Sequence, residues 1–551
     1  MIKEETTICV GIDLGTTNTS GSCSRINTDG QIHLEDLQIR QKSERSNRNF
    51  DLLPSIMYVT NNGEEVVGEE AKCYKKQIRN NSKSDIRYLE NVKRFIGTRK
   101  SFSIDGKVYT PIEVATKILS HVKNYSLIKQ LRSDYRTIIT VPANFNNDQR
   151  NDTLEAARRA GFSNVELYDE PKAAILSFLH EESQKRENKL LNLETKKRIL
   201  VIDIGGGTCD ICVEDVEERN GEYVFAHLAV GRDNLGGVDF DQRVGDELVS
   251  TSRELMGVEL TDSEAADIRD MGQEIKEVFC GYIEDLVWDE YDGDAFKLYN
   301  QENWTDVLSE EGYEIDLFRE IGGKTISFHM DISTFIGVVD SLVYSSSDSV
   351  ARNKDEREKN KNMQDLIDST LEEHGIDIED VDIIFLTGGM AKCFPLRAAL
   401  SDIYKKPIIS PEEPFLAVSR GAALADKYKN IDETSKDLMP NAIMIEMNNG
   451  RLRTLVNAGE QVPVTKTVPE TFKTTSRFGV VMRLFEGKNE FDSQLRRINN
   501  EYVIKFDTYQ KVGREFSIKY TVDRTKRIKF VVTFLDTGEE HIIEGKIGEG
   551  K

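Results

Sequence analysis

The 551-residue chain is long enough for three or four units of the usual ~100–200 residues, so burying a core is not its constraint. Its 73 Lys+Arg against 96 Asp+Glu give a formal net charge of −23, which argues against a nucleic-acid partner, because gripping a phosphate backbone takes a concentrated basic face. Seven scattered cysteines form no disulfide framework, and neither an apolar leader after Met1 nor a run near ~18 apolar residues is found, so the sequence predicts a soluble cytosolic protein with no membrane partner.

In chain order, the first predicted element is a strand over Thr7–Asp13 that ends in a carboxylate. It turns through Ile12-Asp13-Leu14-Gly15-Thr16-Thr17-Asn18 into a second strand. Such a turn converges several backbone N–H groups on one point, a concavity suited to a phosphate chain. Asp13 adds a hard oxygen for hydrated Mg²⁺. Val141-Pro142-Ala143-Asn144-Phe145 ends another strand and leads into a helix over Asp148–Ala160, which carries Arg150 and is closed by Gly161. Segment 181–197 is polar apart from Leu190, Leu191 and Leu193 and reads as a solvated helix extension joining two lobes.

Ile202-Asp203-Ile204-Gly205-Gly206-Gly207-Thr208 then restates the first phrase 190 residues downstream. One copy alone is as readily a plain hairpin turn. Two copies argue for a duplicated nucleotide binder in which paired loops clamp one ligand. Cys209-Asp-Ile-Cys212 has the C-x-x-C spelling but lies on an alternating return strand, where residues three apart point to opposite faces, so zinc or redox chemistry is not expected there. The seven histidines make no metal spacing. Residues 289–324 read as an insertion or an exposed β-rich excursion, and 340–362 as the continuation of a long amphipathic helix or a surface segment. Met363–His374 reads as a helix ended by Gly375.

Strands alternate with helical periodicity up to about residue 430, the pattern of an α/β fold with mixed sheets. After a polar break at 426–436 the period changes to two. Phe516, Ile518, Tyr520 and Val522, then Ile528, Phe530, Val532 and Phe534, alternate with polar neighbours, which predicts an antiparallel β-domain over 438–548. Charge shifts as well: residues 441–551 carry 19 Lys+Arg against 15 Asp+Glu, or +4, leaving −27 for residues 1–440.

Tyr168-Asp169-Glu170-Pro171-Lys172-Ala173-Ala174 completes a series. With both phosphate loops, Pro142 with Arg150, Val92-Lys93-Arg94-Phe95-Ile96-Gly97, Leu235-Gly236-Gly237-Val238-Asp239-Phe240-Asp241 and Thr387-Gly388-Gly389, the chain resembles the heat-shock protein 70 chaperone family, the DnaK type. The resemblance implies a duplicated actin-like, hexokinase-like two-lobed ATPase domain over 1–430, with lobe I about 1–197 and lobe II about 198–430. A linker at 431–437 and a β-sandwich peptide-binding domain at 438–551 follow.

It implies ATP/ADP and Mg²⁺ as cofactors and ATP hydrolysis as the reaction. Lys93 would reach the γ-phosphate, where a cation stabilises charge on the transferred group. Glu170 would stand beside the Mg²⁺ and the attacking water, Asp13 and Asp203 would hold the metal's water shell, and Thr208 would bond a γ-phosphate oxygen or the attacking water. Gly15, Thr16, Thr17 and Asn18 and Gly205, Gly206 and Gly207 would line the phosphates, joined by Gly236, Gly237, Gly388 and Gly389. Lys276 and Lys392 fall on the adenine side, where Glu277 and Cys280 replace an expected Arg and Ser and Lys392 replaces an Arg. Ammonium and carboxylate groups stack poorly on an adenine, which puts nucleotide affinity in question. Pro142 and Arg150 would relay nucleotide state out of the site.

Implied partners are unfolded or extended polypeptides, a J-domain co-chaperone and a nucleotide exchange factor. The Asp432–Lys436 stretch lacks the family's apolar linker run, and a sequence ending at Lys551 leaves no helical lid, which predicts fast peptide exchange. Two other readings stay open. A small-molecule kinase shares the phosphate-loop architecture, although Lys93, the Asp-Glu-Pro segment and the β-domain speak against it. An actin-like assembly protein or nucleotide-gated scaffold is the other, although filament relatives lack such a β-domain.

Overall fold

The computed structural model describes residues 7–544 except 29, 44–45, 80–86, 132–134, 186–190, 192, 194, 220–221, 257–259, 292–296, 299–303, 322, 346–361, 426, 428–436, 448, 494, 499–501 and 507. The expected helix over 340–362, the polar break and the Asp432–Lys436 stretch therefore fall mostly or wholly outside the described residues. The chain forms two compact units. One comprises Met1–Lys196, Glu214–Val230 and Leu416–Lys551, the other Lys197–Val213 and Gly231–Phe415.

In the first unit a sheet runs in the spatial order Val165–Asp169, Arg136–Val141, Thr7–Leu14, Asn18–Ile26, Ile32–Asp36. The first three strands are parallel, with Asp13 opposite Thr140 and Val141 opposite Asp169. Parallel strands are covered on both faces, which is why Val10, Ile12, Ile138, Ile139 and Val141 form near-continuous apolar runs, all buried. The register also brings Asp13 and Asp169 to the carboxyl ends of their strands, the edge where open α/β sheets present ligand sites.

One helix presses backbone to backbone against this layer, and a second helix presses in the same way against the first. A Cβ on Gly11 would lie 2.3 Å from both Ser419 O and Ala423 N, and one on Gly421 would lie 1.7 Å from Ala173 O. Only glycine permits these approaches, the first between the Thr7–Leu14 strand and the Pro414–Leu424 helix and the second between that helix and the Glu170–Gln184 helix.

The Asn147–Arg159 helix begins with a capping box. Asn146 accepts the Gln149 N–H and Gln149 accepts the Asn146 N–H. Its end is marked by Gly161 at φ +85°, as the sequence indicates. Of the lobe-joining segment, the Glu170–Gln184 helix takes up the first residues, and Leu191 and Leu193 are buried.

The second sheet repeats the strand order of the first, as Glu222–Asp233, Cys209–Arg219, Lys197–Ile204, Ile383–Thr387, Ile408–Ile409. The repeated Gly phrases thus mark a duplicated sheet topology. Cys209 and Cys212 are both buried on the return strand. Met363–Glu373 is helical and Gly375 follows at φ +64°. Within 289–324, read as an insertion or an exposed β-rich excursion, the described residues hold both helix and strand. The Gly272–Tyr291 helix runs into it, Trp304–Glu310 is helical, and Glu314–Ile321 pairs with Lys324–Asp331 in a hairpin.

From Asp437 on, the described residues of the first unit form strands, turns and loops only. Val464–Thr467, Glu515–Val522, Ile528–Phe534 and Glu540–Glu544 make one antiparallel sheet, and Leu452–Val456, Ala442–Glu446, Leu484–Gly487 and Arg496–Arg497 another. The period-two residues Phe516 to Val522 and Ile528 to Phe534 point into one shared core with Ile443, Val456, Leu484 and Tyr502. Among the described residues no helix is long and apolar enough to cross a membrane.

Candidate functional site

In the first unit the predicted residues Asp13, Lys93 and Glu170 come together. Lys93 lies in a short 3₁₀ turn, Val92–Phe95, entered through Asn91 in the left-handed region and left through Gly97 at φ +81°. The side chain is buried and its Nζ donates to Glu170 Oε1 at 2.7 Å, with Asp13 Oδ1 at 4.0 Å. Glu170 is the first residue of its helix, followed by Pro171, where a carboxylate meets the favourable end of the helix dipole. Burial pushes the Asp13 carboxyl up, against the opposing pull of Lys93 and the Thr140 hydroxyl. Gly15 lies where the chain doubles back: a Cβ there would be 2.0 Å from Asn18 O. Thr16 is buried beside it. A buried cation between two carboxylates at the mouth of a Gly-Thr turn fits a phosphate with its Mg²⁺, and here Asp13 and Glu170 would hold the metal through water.

The Lys93 turn is fastened to the Asn147–Arg159 helix, because Asp152 Oδ2 accepts the Gly97 N–H at 3.0 Å. Burial, and then the neighbouring Asp148, push the Asp152 carboxyl up to about 7. Since its folded pKa lies above the unfolded value of 3.8, ionising this carboxyl costs stability as pH rises from about 4 to 7. Asp152→Asn keeps an acceptor for Gly97 and is expected to stabilise the protein by ~1–2 kcal/mol at pH 8, after discounting for partial exposure, and by nothing at pH 4. Urea melts of both proteins at the two pH values check this; a variant no more stable at pH 8 would refute it.

In the second unit the Gly-rich loops form a cradle. Gly237 N–H donates to Gly205 O at 3.0 Å and Val238 N–H to Gly206 O at 2.7 Å. A Cβ on Gly236 would lie 2.6 Å from the amides of Gly207 and Thr208, and one on Gly388, at φ +82°, would lie 2.5 Å from Asp203 Oδ1. Glycine at these positions lets the Gly205–Thr208, Gly236 and Gly388 backbones close on one another, so that Asp203 and the buried Thr208 border one Gly-lined surface. That surface fits phosphate oxygens and a metal-bound water. Lys276 is also here, bonded to Asp241 Oδ1 at 2.5 Å and to Met390 Sδ at 3.5 Å. Lys392 stands farther out, with Nζ 4.7 Å from the Phe415 ring centroid and 3.8 Å from Glu413 Oε2.

Pro142 and Arg150 lead to a feature that the sequence reading did not find. Arg150 is among the most deeply buried side chains and is no helix-surface residue. It donates to Phe145 O at 2.9 Å, Ala143 O at 3.1 Å, Pro142 O at 3.4 Å and Asp169 Oδ1 at 2.9 Å. The other oxygen of Asp169 accepts from Lys526, a residue of the β-domain, at 2.7 Å, and Lys526 also donates to Ala143 O at 3.1 Å. Lys526 is buried and held at φ +61° in its turn. Burial opposes the Asp169 carboxylate, but Lys526 and Arg150 outweigh it and hold the group below its ordinary range.

Around this centre Arg496 bridges Asp148 at 3.1 Å and Glu486 at 2.9 Å, Arg527 donates to Asn151 at 2.8 Å, and Lys172 pairs with Asp437. Burial alone disfavours the Lys172 ammonium, yet Asp437, with Glu214 and Asp169, raises its pKa above the ordinary value. Lys526, Arg496 and Arg527 read in sequence as ordinary hairpin and loop cations, and no local signal marks them.

The model of the Hsp70 protein family matches residues 100–281 and 355–525, which is more than half of the chain. The chain belongs to the Hsp70 family. This chain is a chaperone ATPase of the Hsp70 type; members of that family generally bind ATP or ADP with Mg²⁺ and typically take unfolded peptides and co-chaperones as partners. Its α/β sheets with the β-rich C-terminal region are those of an Hsp70 two-lobed ATPase domain followed by a β-sandwich.

Proposed function

We propose that ATP binding and hydrolysis, carried out by Asp13, Lys93, Glu170, Asp203 and Thr208, control the capture of extended apolar segments by the β-domain. One observation carries this reading. Glu170, which holds the Lys93 ammonium, is the chain neighbour of Asp169, which holds Lys526 of the β-domain. A shift of the Glu170 carboxylate toward a bound metal or water acts on the same two-residue step that anchors the β-domain, and Arg150 stiffens that step by tying Asp169 to the carbonyls after Pro142. Pro142 and Arg150 are thus positioning residues.

The receiving surface for a peptide is a cleft of about 550 Å³ in the β-domain. Met447, Phe478, Val481 and Ile504 line it, with Glu446, Arg483 and Lys505 at its polar edge. Phe478 and Val481 are about two-thirds exposed, and Phe478 packs edge-on against Tyr509 at 5.3 Å. Its floor includes the short strand pair Gly479–Met482 and Tyr502–Lys505. Apolar side chains beside strand backbone suit a peptide bound by strand-like contacts with alternate residues inserted. J-domain and exchange-factor partners follow from the same family cycle.

Steady-state ATP turnover with and without an unfolded apolar peptide tests the reading. Turnover should be slow and rise severalfold with peptide, and Val481→Asp should abolish that rise. Turnover indifferent to peptide at saturating concentrations would instead favour a nucleotide-gated scaffold, and phosphorylation of an added sugar or carboxylic acid would favour a kinase.

A further inference from the structure

Charge along the floor of the β-domain cleft follows a definite order. In the ribbon of Gly479–Met482 and Tyr502–Lys505, Val481 stands opposite Val503 and Gly479 opposite Lys505. Side chains alternate along a strand, so Met482, Tyr502 and Ile504 share one face and Val481, Val503 and Lys505 the other. The first three are buried in the β-domain core. The second three line the cleft, with Val481 61% exposed and Lys505 exposed as well. Successive residues on one face lie ~6.8 Å apart, so the valine pair is followed, one step along, by an ammonium.

Gly479 keeps that ammonium open. A Cβ on Gly479 would lie 2.0 Å from Ile504 O, so only glycine fits there, and Lys505 has no side chain across from it. At the other end of the valine pair the cation is engaged: Arg483 Nη1 donates to Glu446 Oε2 at 3.0 Å. Among the described residues no carboxylate is paired with Lys505. The cleft lining thus holds two cations against one carboxylate, and the surplus lies at the Lys505 end. Residues 441–551 as a whole have the same sign, with 19 Lys+Arg against 15 Asp+Glu.

We propose that the cleft selects extended segments in which an apolar residue has an Asp or Glu two positions away. The apolar side chain covers Val481 and Val503, and the carboxylate, carried ~6.8 Å along by the same extended geometry, meets the Lys505 ammonium. A basic residue at that place is repelled by Lys505, and a neutral one gains nothing from it. Because Lys505 is exposed, the pair changes affinity a fewfold, not by orders of magnitude, and salt screens it. The cleft therefore sorts segments of equal apolar content by their charge. This proposal names the client class of the peptide-binding function proposed above and rests on that reading.

The test measures binding of the whole chain, with ADP present, to three labelled peptides. All share a core of alternating Leu and Thr and carry Glu, Gln or Lys two positions outside the outermost Leu at each end. At low salt, affinity should fall in the order Glu, Gln, Lys by about two- to fivefold per step, and the spread should close in about 0.5 M NaCl. Lys505→Gln should remove the order and Lys505→Glu should reverse it, whereas Val481→Asp should weaken binding of all three. If the wild type binds the three equally or prefers Lys, or if Lys505→Glu leaves the order unchanged, the charge selection is overturned while the peptide cleft stands. If none of the three binds, or Val481→Asp leaves their binding intact, the cleft is not the peptide site and both readings fall.

Discussion

Lys93→Ala should cut ATP turnover by about 10²–10³-fold, equivalent to ~2.7–4 kcal/mol of transition-state stabilisation. The size of the effect follows from burial. The ammonium is excluded from bulk water and held 2.7 Å from Glu170, so it is fixed before reaction and poorly screened when negative charge grows on a phosphoryl group nearby. The same substitution leaves Glu170 buried without this cation, a change that costs ~3–5 kcal/mol when one partner of a buried pair is removed. Activity must therefore be read alongside a melting curve. Lys93→Ala with Glu170→Gln removes the stranded charge and should recover much of the stability with none of the turnover. Near-normal hydrolysis by a folded Lys93→Ala protein would exclude Lys93 from the chemistry.

Lys526→Met should release the β-domain from the Pro142–Asp169 region while each part stays folded. The loss removes two charge-assisted bonds at once and leaves Asp169 with Arg150 and the more distant Lys172, so ~3–5 kcal/mol of docking is at stake. Hydrogen exchange should rise at the amides of Ala143–Phe145 and at the 523–527 turn, and peptide should no longer alter ATP turnover. Unchanged exchange at both places would remove Lys526 from the anchor. Acid should act in the same direction. Asp169 and Asp437 both have folded pKa values below their ordinary 3.8, so the stability they contribute is complete above that value and fades only as pH falls further. Docking should thus survive from neutral pH to about 5.

Much of this was legible in the chain because it is written locally. The Gly phrases, Lys93, Glu170 and the period-two strands depend on neighbours close in sequence, and the repeated phrase correctly signalled a repeated sheet. What was hidden arises from residues far apart. Lys526 looks like any cation in an Asp-Arg-Thr-Lys turn, and its role comes from meeting Asp169 357 positions away. Asp152 reads as a surface helix acid until the Gly97 amide and Asp148 are seen beside it. Periodicity reports which face is buried; it does not report which buried charges find one another.

The glycine crossings at Gly11 and Gly421 carry one more consequence. At Gly11 the Thr7–Leu14 strand rests main chain on main chain on the Pro414–Leu424 helix, and at Gly421 that helix rests in the same way on the Glu170–Gln184 helix, so at neither crossing is there a side chain to rotate and absorb a displacement. The strand bearing Asp13 and the helix opened by Glu170 are therefore joined through the helix that precedes the β-domain as through a welded joint, with bare backbone at each seam.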